Sequence, residues 1–282
     1  MQNALDAVVD LLDLEVIEVN IFRGVSPDED RQRVFGGQVA GQALVAAART
    51  VDNGTVHSLH AYFLRPGDPK APILYEVDRI RDGRSFTTRR VVAIQHGRPI
   101  FNLAASFHQH EPGFDHQFTM PEVPDPHSLP DFAERVRANP KVPDDWAKNP
   151  RPIDTRYITS TPVERDEPKP PFQQVWLRAN GTLPDDPVLH TCLLTYASDM
   201  TLLDTTLLPH GTGAIDGDIM MASLDHAMWF HGPFRADEWM LYDQDTPSSG
   251  GGRGLARGLV YTQGGDLIAS VMQEGLIRRL DS

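Results

Sequence analysis

An α+β fold built twice over, each copy an antiparallel sheet wrapped on one central helix, is what this sequence predicts, and three observations carry that expectation. First, 13 of the 23 prolines fall between Pro112 and Pro171. Missing ladder donors and fixed φ angles make that stretch a connector with at most short structured pieces. Second, it leaves residues 1–111 and 172–282, two stretches of equal length. Third, both stretches read in one order, a strand, a helix and a meander of strands, which is the signature of an internal repeat.

In the first stretch NIFRG ends a strand, and a glycine-rich entry leads into FGGQVAGQALVAAART, rich in helix formers. The runs HSLHAYFL, ILYEVDRI, SFTTRRVVAIQHG and PIFNLAASFHQ follow as strands, parted by the turn signals RPGDPKAP, RDGR and HGRP. The second stretch offers FQQVWLRANG as a strand and VLHTCLLTYASDMTLL as a helix. Its meander is MASLDHAMWFH, EWMLYDQDT, GRGLARGLVYTQGG and DLIASVMQEGLIR. Local echoes agree: HAYFLRP from His60 with HAMWFHGP from His226, and ASF at Ser106 with ASV at Ser270. A meander with a single helix buries its inner face against that helix. This is the hot-dog arrangement, here doubled, with two tandem antiparallel sheets: an N-terminal domain over 1–111, a connector over 112–171 and a C-terminal domain over 172–282.

Composition narrows the function. A hydrophobic fraction of 40% is ample for a core, and a net charge of -13 repels polyphosphate backbones, which argues against nucleic acid as a partner. Local basic clusters can still act against that field on small anions. The one cysteine, Cys192, cannot form an internal disulfide, which fits a reducing compartment. The N-terminus carries acids where a signal peptide carries positive charge, and no run of ~18 apolar residues offers a membrane span. The expected location is cytoplasmic.

The segments RVFGGQVAGQAL, HSLHAYFLRPGD, RDGRSFTTRRVVAIQHGRPIF, QVWLRANG, YASDM, LDHAMWFH and SVMQEGLIR, in this order over almost the whole chain, resemble the acyl-CoA thioesterase II family of bacteria and its peroxisomal relatives. That resemblance implies a double hot-dog fold, an acyl-CoA substrate, hydrolysis by activated water without a covalent acyl-enzyme, no cofactor, and a homo-oligomer. It places the family's catalytic groups at Asp199 of YASDM, Ser223 of SLDH and Gln273 of MQEG. The bacterial type commonly carries Thr where this chain has Ser223, a hydroxyl of similar reach.

Read by themselves, these residues keep two meanings. On a helical wheel Asp199 borders the stripe of Leu193, Tyr196, Ala197, Met200 and Leu203, so it is either a partly buried carboxylate of raised proton affinity or a solvated helix edge. Gln273 shares a strand face with Leu267, Ala269, Val271 and Ile277, so its amide needs a structural partner or a substrate. Alternation puts Ser223 and Asp225 on one face and Leu224, His226, Met228 and Phe230 on the other.

Other constellations are poorer. No G-x-S-x-G elbow supports an α/β hydrolase. His108, His110, Asp115 and His116 lie in HQHEPGFDH without a ligand motif, and the solvated-loop reading leads over metal binding. The glycines of SSGGGRGLARG read as a hairpin. Arg89, Arg90, Arg253 and Arg257 could meet CoA phosphates, yet exposed strand arginines are commoner, and no site is assigned to them. A hot-dog enoyl-CoA hydratase needs an acid–base pair such as Asp with His, and five residues beyond Asp199 stands Asp204; a non-catalytic acyl-CoA sensor should carry a basic DNA-binding segment, which is missing.

Asp199 is thus expected to take a proton from water held by Ser223 and Gln273. Helix-start N–H groups, at Gly36 and Gly37 or at the second-half helix, would meet the oxyanion. Residues 34–51 contain no Asp or Glu, and Gln42 falls near the place corresponding to Asp199, so one working site per chain is expected.

Overall fold

The computed structural model describes residues 2–27, 32–139, 148, 150–161, 164, 167–212 and 218–280. The chain runs α1 (Gln2–Leu12), β1 (Glu15–Glu18), β2 (Ile21–Gly24), α2 (Gly36–Ala48), β3 (Thr55–Phe63), β4 (Ile73–Asp82), β5 (Phe86–Gln95) and β6 (Arg98–His108). Within the expected connector come α3 (Phe132–Ala138) and β7 (Ile153–Tyr157). Then follow β8 (Phe172–Ala179), α4 (Pro187–Ser198), β9 (Ile219–Ser223), β10 (Asp225–Phe230), β11 (Met240–Gly250), β12 (Arg253–Thr262) and β13 (Leu267–Arg279). Both helix-and-meander series appear in the expected order. Three elements went unread: α1, whose Leu5, Val8 and Leu12 recur at helical spacing and are buried, the short α3, and β7, which pairs with β8.

The halves do not keep separate sheets. One antiparallel sheet runs in the order β1-β2-β4-β5-β6-β3-β10-β13-β12-β11-β8-β7, with β9 against β13. β3 and β10 would each be an exposed edge of its own half, and pairing them satisfies both rows of backbone groups at once. His60 sits opposite Ala227 at this seam. The echo that aligned His60 with His226 is therefore out of phase, for His60 is exposed and His226 is buried.

A second phase change occurs at Leu224, between β9 and β10. Ser223 pairs with Gly275 while Ala227 pairs with Met272, so four steps on one strand face three on the other. This extra residue is a bulge, and it re-aims everything before it. Uninterrupted alternation would set Ser223 opposite in face to His226 and Met228. Instead all three point inward, Ser223 to Asp199 and His226 to Ser198.

α2 is buried on nearly every side, as its apolar, small-residue sequence requires. It packs on β2 to β6 and, along its other flank, on α4. Gly37 and Gly41 permit that second contact. A Cβ at Gly37 would clash with the carbonyl oxygen of Tyr196, and one at Gly41 would lie 3.2 Å from that of Cys192. The helices run antiparallel, backbone nearly on backbone, and residues of both halves share one core. α4 starts as expected, with Asp186 capping the N–H groups of Val188 and Leu189 and Pro187 in the first turn. It ends earlier than its apolar pattern, at Ser198. There the Met200 N–H turns to Ala197 at 3.0 Å, a tightened last turn, and Asp199 becomes the C-cap.

Gly37→Ala replaces a poor helix former by the best one, a gain of about 1 kcal/mol in an open helix. Here it should instead destabilise the protein by ~1–3 kcal/mol, the usual range for overpacking. Gly232→Ala, with nothing within 4 Å of the added carbon, should stay near neutral. Urea unfolding of the two variants checks this, and equal midpoints would show that the helices do not touch at Gly37.

Candidate active site

The helix crossing sets the end of α4 against the start of α2. Asp199 is the residue after the last turn of α4, and its carboxylate lies beside the first residues of α2: a Cβ at Gly36 would sit 2.7 Å from Oδ2. Oδ1 accepts two side-chain hydrogen bonds, from Gln273 Nε2 at 2.5 Å and from Ser223 Oγ at 3.2 Å. The three residues singled out from the sequence, separated by up to 74 positions, thus meet on one oxygen atom. Both side chains expected to hold a water donate to Asp199 itself, one bond each. Ser223 arrives through the bulge at Leu224 and Gln273 from the inner face of β13.

Gln273 is wholly buried, and among the described residues its Oε1 has no hydrogen-bond partner. Leaving a buried acceptor unpaired costs ~1–3 kcal/mol.

Burial pushes the Asp199 carboxyl up to about 6, against the downward pull of Gln273, Ser223 and the Gly37 N–H; the charge of Asp204 adds to the rise. The positive end of α2 favours the ionised form, and the C-terminus of α4 opposes it. The carboxylate is therefore ionised at neutral pH yet basic enough to accept a proton. Behind it His226 contacts Ser198 Oγ at 2.8 Å, and burial drives its imidazole down to about 4, so it is neutral.

Asp199 and Ser223 open on a cleft of about 460 Å³ between the halves, with Phe35, Val39 and Phe63 on the first-half wall and Met200, Leu203 and Met221 on the other. Sequence reading missed this first-half wall, although HSLHAYFLRPGD supplies part of it. It also missed Arg33 and Arg65 on the lining. Nothing in local periodicity marks residues that converge only through a helix crossing.

The remaining candidates have other partners. Arg89 is buried and bonded to Thr50 and Asp82; Arg90 pairs with Asp78, Arg253 with Glu274 and Arg257 with Asp245. His108 stacks on Phe86 and pairs with Glu111. The SSGGGRG glycines turn the β11–β12 hairpin, with positive φ at Gly251 and Gly252. Gln42 stands inside α2, not at its end, and bonds to Leu11, Val25 and Tyr75, so it does not hold the place of Asp199. Of the two helix starts weighed for an oxyanion, that of α2 faces Asp199, whereas α4 begins at its opposite end.

Two family models match the chain: an acyl-CoA thioesterase model over residues 159–276 and an acyl-CoA thioesterase N-terminal domain model over 26–108. Human acyl-coenzyme A thioesterase 8 is 43% identical over 96% of this chain and 88% of its own length. The crystal structure of an acyl-CoA thioesterase II from Mycobacterium marinum is 47% identical, covers 98% of both chains and superposes with a TM-score of 0.80. A hot-dog protein of unknown function from Alicyclobacillus acidocaldarius, 21% identical over 98% of this chain and 99% of its own, gives a TM-score of 0.79 and speaks for the fold.

The site geometry gives an expected titration. The Asp199 carboxyl, followed by its carbon-13 shift and assigned through its loss in Asp199→Asn, should titrate with a midpoint near 6. A midpoint at the ordinary aspartate value would show a solvated carboxylate.

Proposed function

This chain belongs to the acyl-CoA thioesterase II family, and from that premise we propose how it hydrolyses acyl-CoA to free acid and CoA. Asp199 acts as the general base. Ser223 and Gln273 hold its Oδ1, and Oδ2, beside Gly36 on the cleft lining, takes a proton from water. The water oxygen bonds to the thioester carbonyl carbon, and the carbonyl electron pair moves onto oxygen. That oxyanion meets the start of α2, where the N-cap, Phe35, makes no side-chain bond and the Gly37 N–H is turned to Asp199, through the first-turn N–H groups beside Gly37. Collapse breaks the C–S bond, and the departing thiolate recovers the proton from Asp199.

The observation that carries this reading is the convergence on one cleft of a carboxylate raised to about 6, two donors fixing it, and a helix N-terminus. Water is favoured over a covalent nucleophile by the alternatives' surroundings. Cys192 is wholly buried and its thiol is held far above its usual value by burial; Ser223 donates to an acid and, among the described residues, has no imidazole on it. The matched relatives are thioesterases, which does not favour a hydratase or a non-catalytic binder.

We also propose a boundary of domains near residues 111 and 172, a cytoplasmic location and self-association. Support for the location is the free, buried cysteine; no helix of the described residues is long and apolar enough to cross a membrane. Support for self-association is the exposed trio Tyr62, Trp229 and Met272 on the outer face at the seam of the sheet.

Asp199→Asn should keep the fold and acyl-CoA binding while lowering kcat by roughly two to four orders of magnitude, the usual range for a general base. In the wild type, activity should fall as pH drops through about 6, because the protonated carboxyl accepts nothing. Intact mass spectra during turnover should show only unmodified chain. Wild-type turnover in the variant would remove Asp199 from the mechanism, and an acyl adduct on Ser223 or Cys192 would replace water by a covalent route.

A further inference from the structure

We infer that Arg33 and Arg65 form a phosphate subsite at the mouth of the cleft that holds the nucleotide end of CoA. This rests on the acyl-CoA thioesterase reading and assigns the end of the substrate that the mechanism leaves unplaced.

Both guanidinium groups line the same cleft as Asp199. Each is anchored by a backbone carbonyl. Arg33 Nη2 donates to the carbonyl of Met221 at 2.6 Å, reaching from the approach to α2 across to β9; Arg65 Nη1 donates to the carbonyl of Pro99 at 2.6 Å, beside β6. A carbonyl takes one of an arginine's five N–H donors and leaves its charge intact. Among the described residues neither arginine has a carboxylate partner, in contrast to Arg89, Arg90, Arg253 and Arg257, each of which is paired with an acid.

The charge of the whole molecule sharpens the point. A chain of net charge -13 repels an anionic substrate, so CoA must be met by local positive charge where it enters. The acids on the cleft lining are Asp199 and Asp204, and most of the remaining lining is apolar, suited to an acyl chain and not to phosphate. Two exposed guanidinium groups, each bonded to a carbonyl, provide on that lining the planar donors that phosphate oxygens take.

The test compares an acyl-CoA with the N-acetylcysteamine thioester of the same acid, which keeps the reacting bond and lacks every phosphate. For Arg33→Gln and Arg65→Gln, kcat/KM on acyl-CoA should fall about tenfold each, through KM, the low end for a charge-assisted hydrogen bond. The ratio of kcat/KM between the two substrates should fall by the same factor, and inhibition by adenosine 3′,5′-bisphosphate should weaken in parallel. An unchanged ratio would overturn the subsite. So would a matching loss on an N-acetylcysteamine thioester whose acyl chain ends in a carboxylate, which would move the arginines to the acyl end. Should either variant unfold, the wild type alone decides: added salt must depress kcat/KM on acyl-CoA and leave the truncated thioester unaffected. A wild type that cleaves neither substrate would instead refute the thioesterase reading itself.

Discussion

The contact between the backbones of α2 and α4 is the constraint on which the rest depends. Because Gly37 carries no side chain, the carbonyl of Tyr196 can lie against it. The antiparallel crossing then brings the positive end of one helix to the terminal residue of the other. From this follow the position of Asp199, its burial, and the approach of the Gly37 N–H to its carboxylate. The seam between β3 and β10 fixes the same relation on the sheet side. Neither half contains the site.

The chemistry is a balance of opposed effects at one carboxylate. Burial raises the proton affinity of Asp199, three donors including the Gly37 N–H pull it back, and the outcome of about 6 lies where a base is both ionised and useful. The bulge at Leu224 and the burial of the Gln273 amide belong to that arrangement. They are explained by what they deliver, a nitrogen and a hydroxyl on the same oxygen of Asp199.

What could be read in advance was what local periodicity records. The strands, the two central helices, the Asp186–Pro187 helix start and the β11–β12 hairpin all lie in short-range patterns. Asp199, Ser223 and Gln273 were named through resemblance, and the wheel gave only a border position for Asp199. The long-range features were hidden. Alternation carried through Leu224 turned Ser223 to the wrong face, since a bulge is set by the partner strand's register. The apolar stripe carried α4 past Ser198, since stripes do not show where a turn tightens. The merger of two sheets into one depends on which edges meet, and the arginines of the cleft became distinguishable from those on strands only by their partners.

The central claim is a single site per chain, assembled from both halves although the fold is duplicated. Calorimetric titration of the full-length protein with a non-hydrolysable acyl-CoA analogue tests it most directly. The account predicts one tight site per chain, lost when bulk at Gly36 pushes against Asp199; two equivalent sites per chain would contradict it.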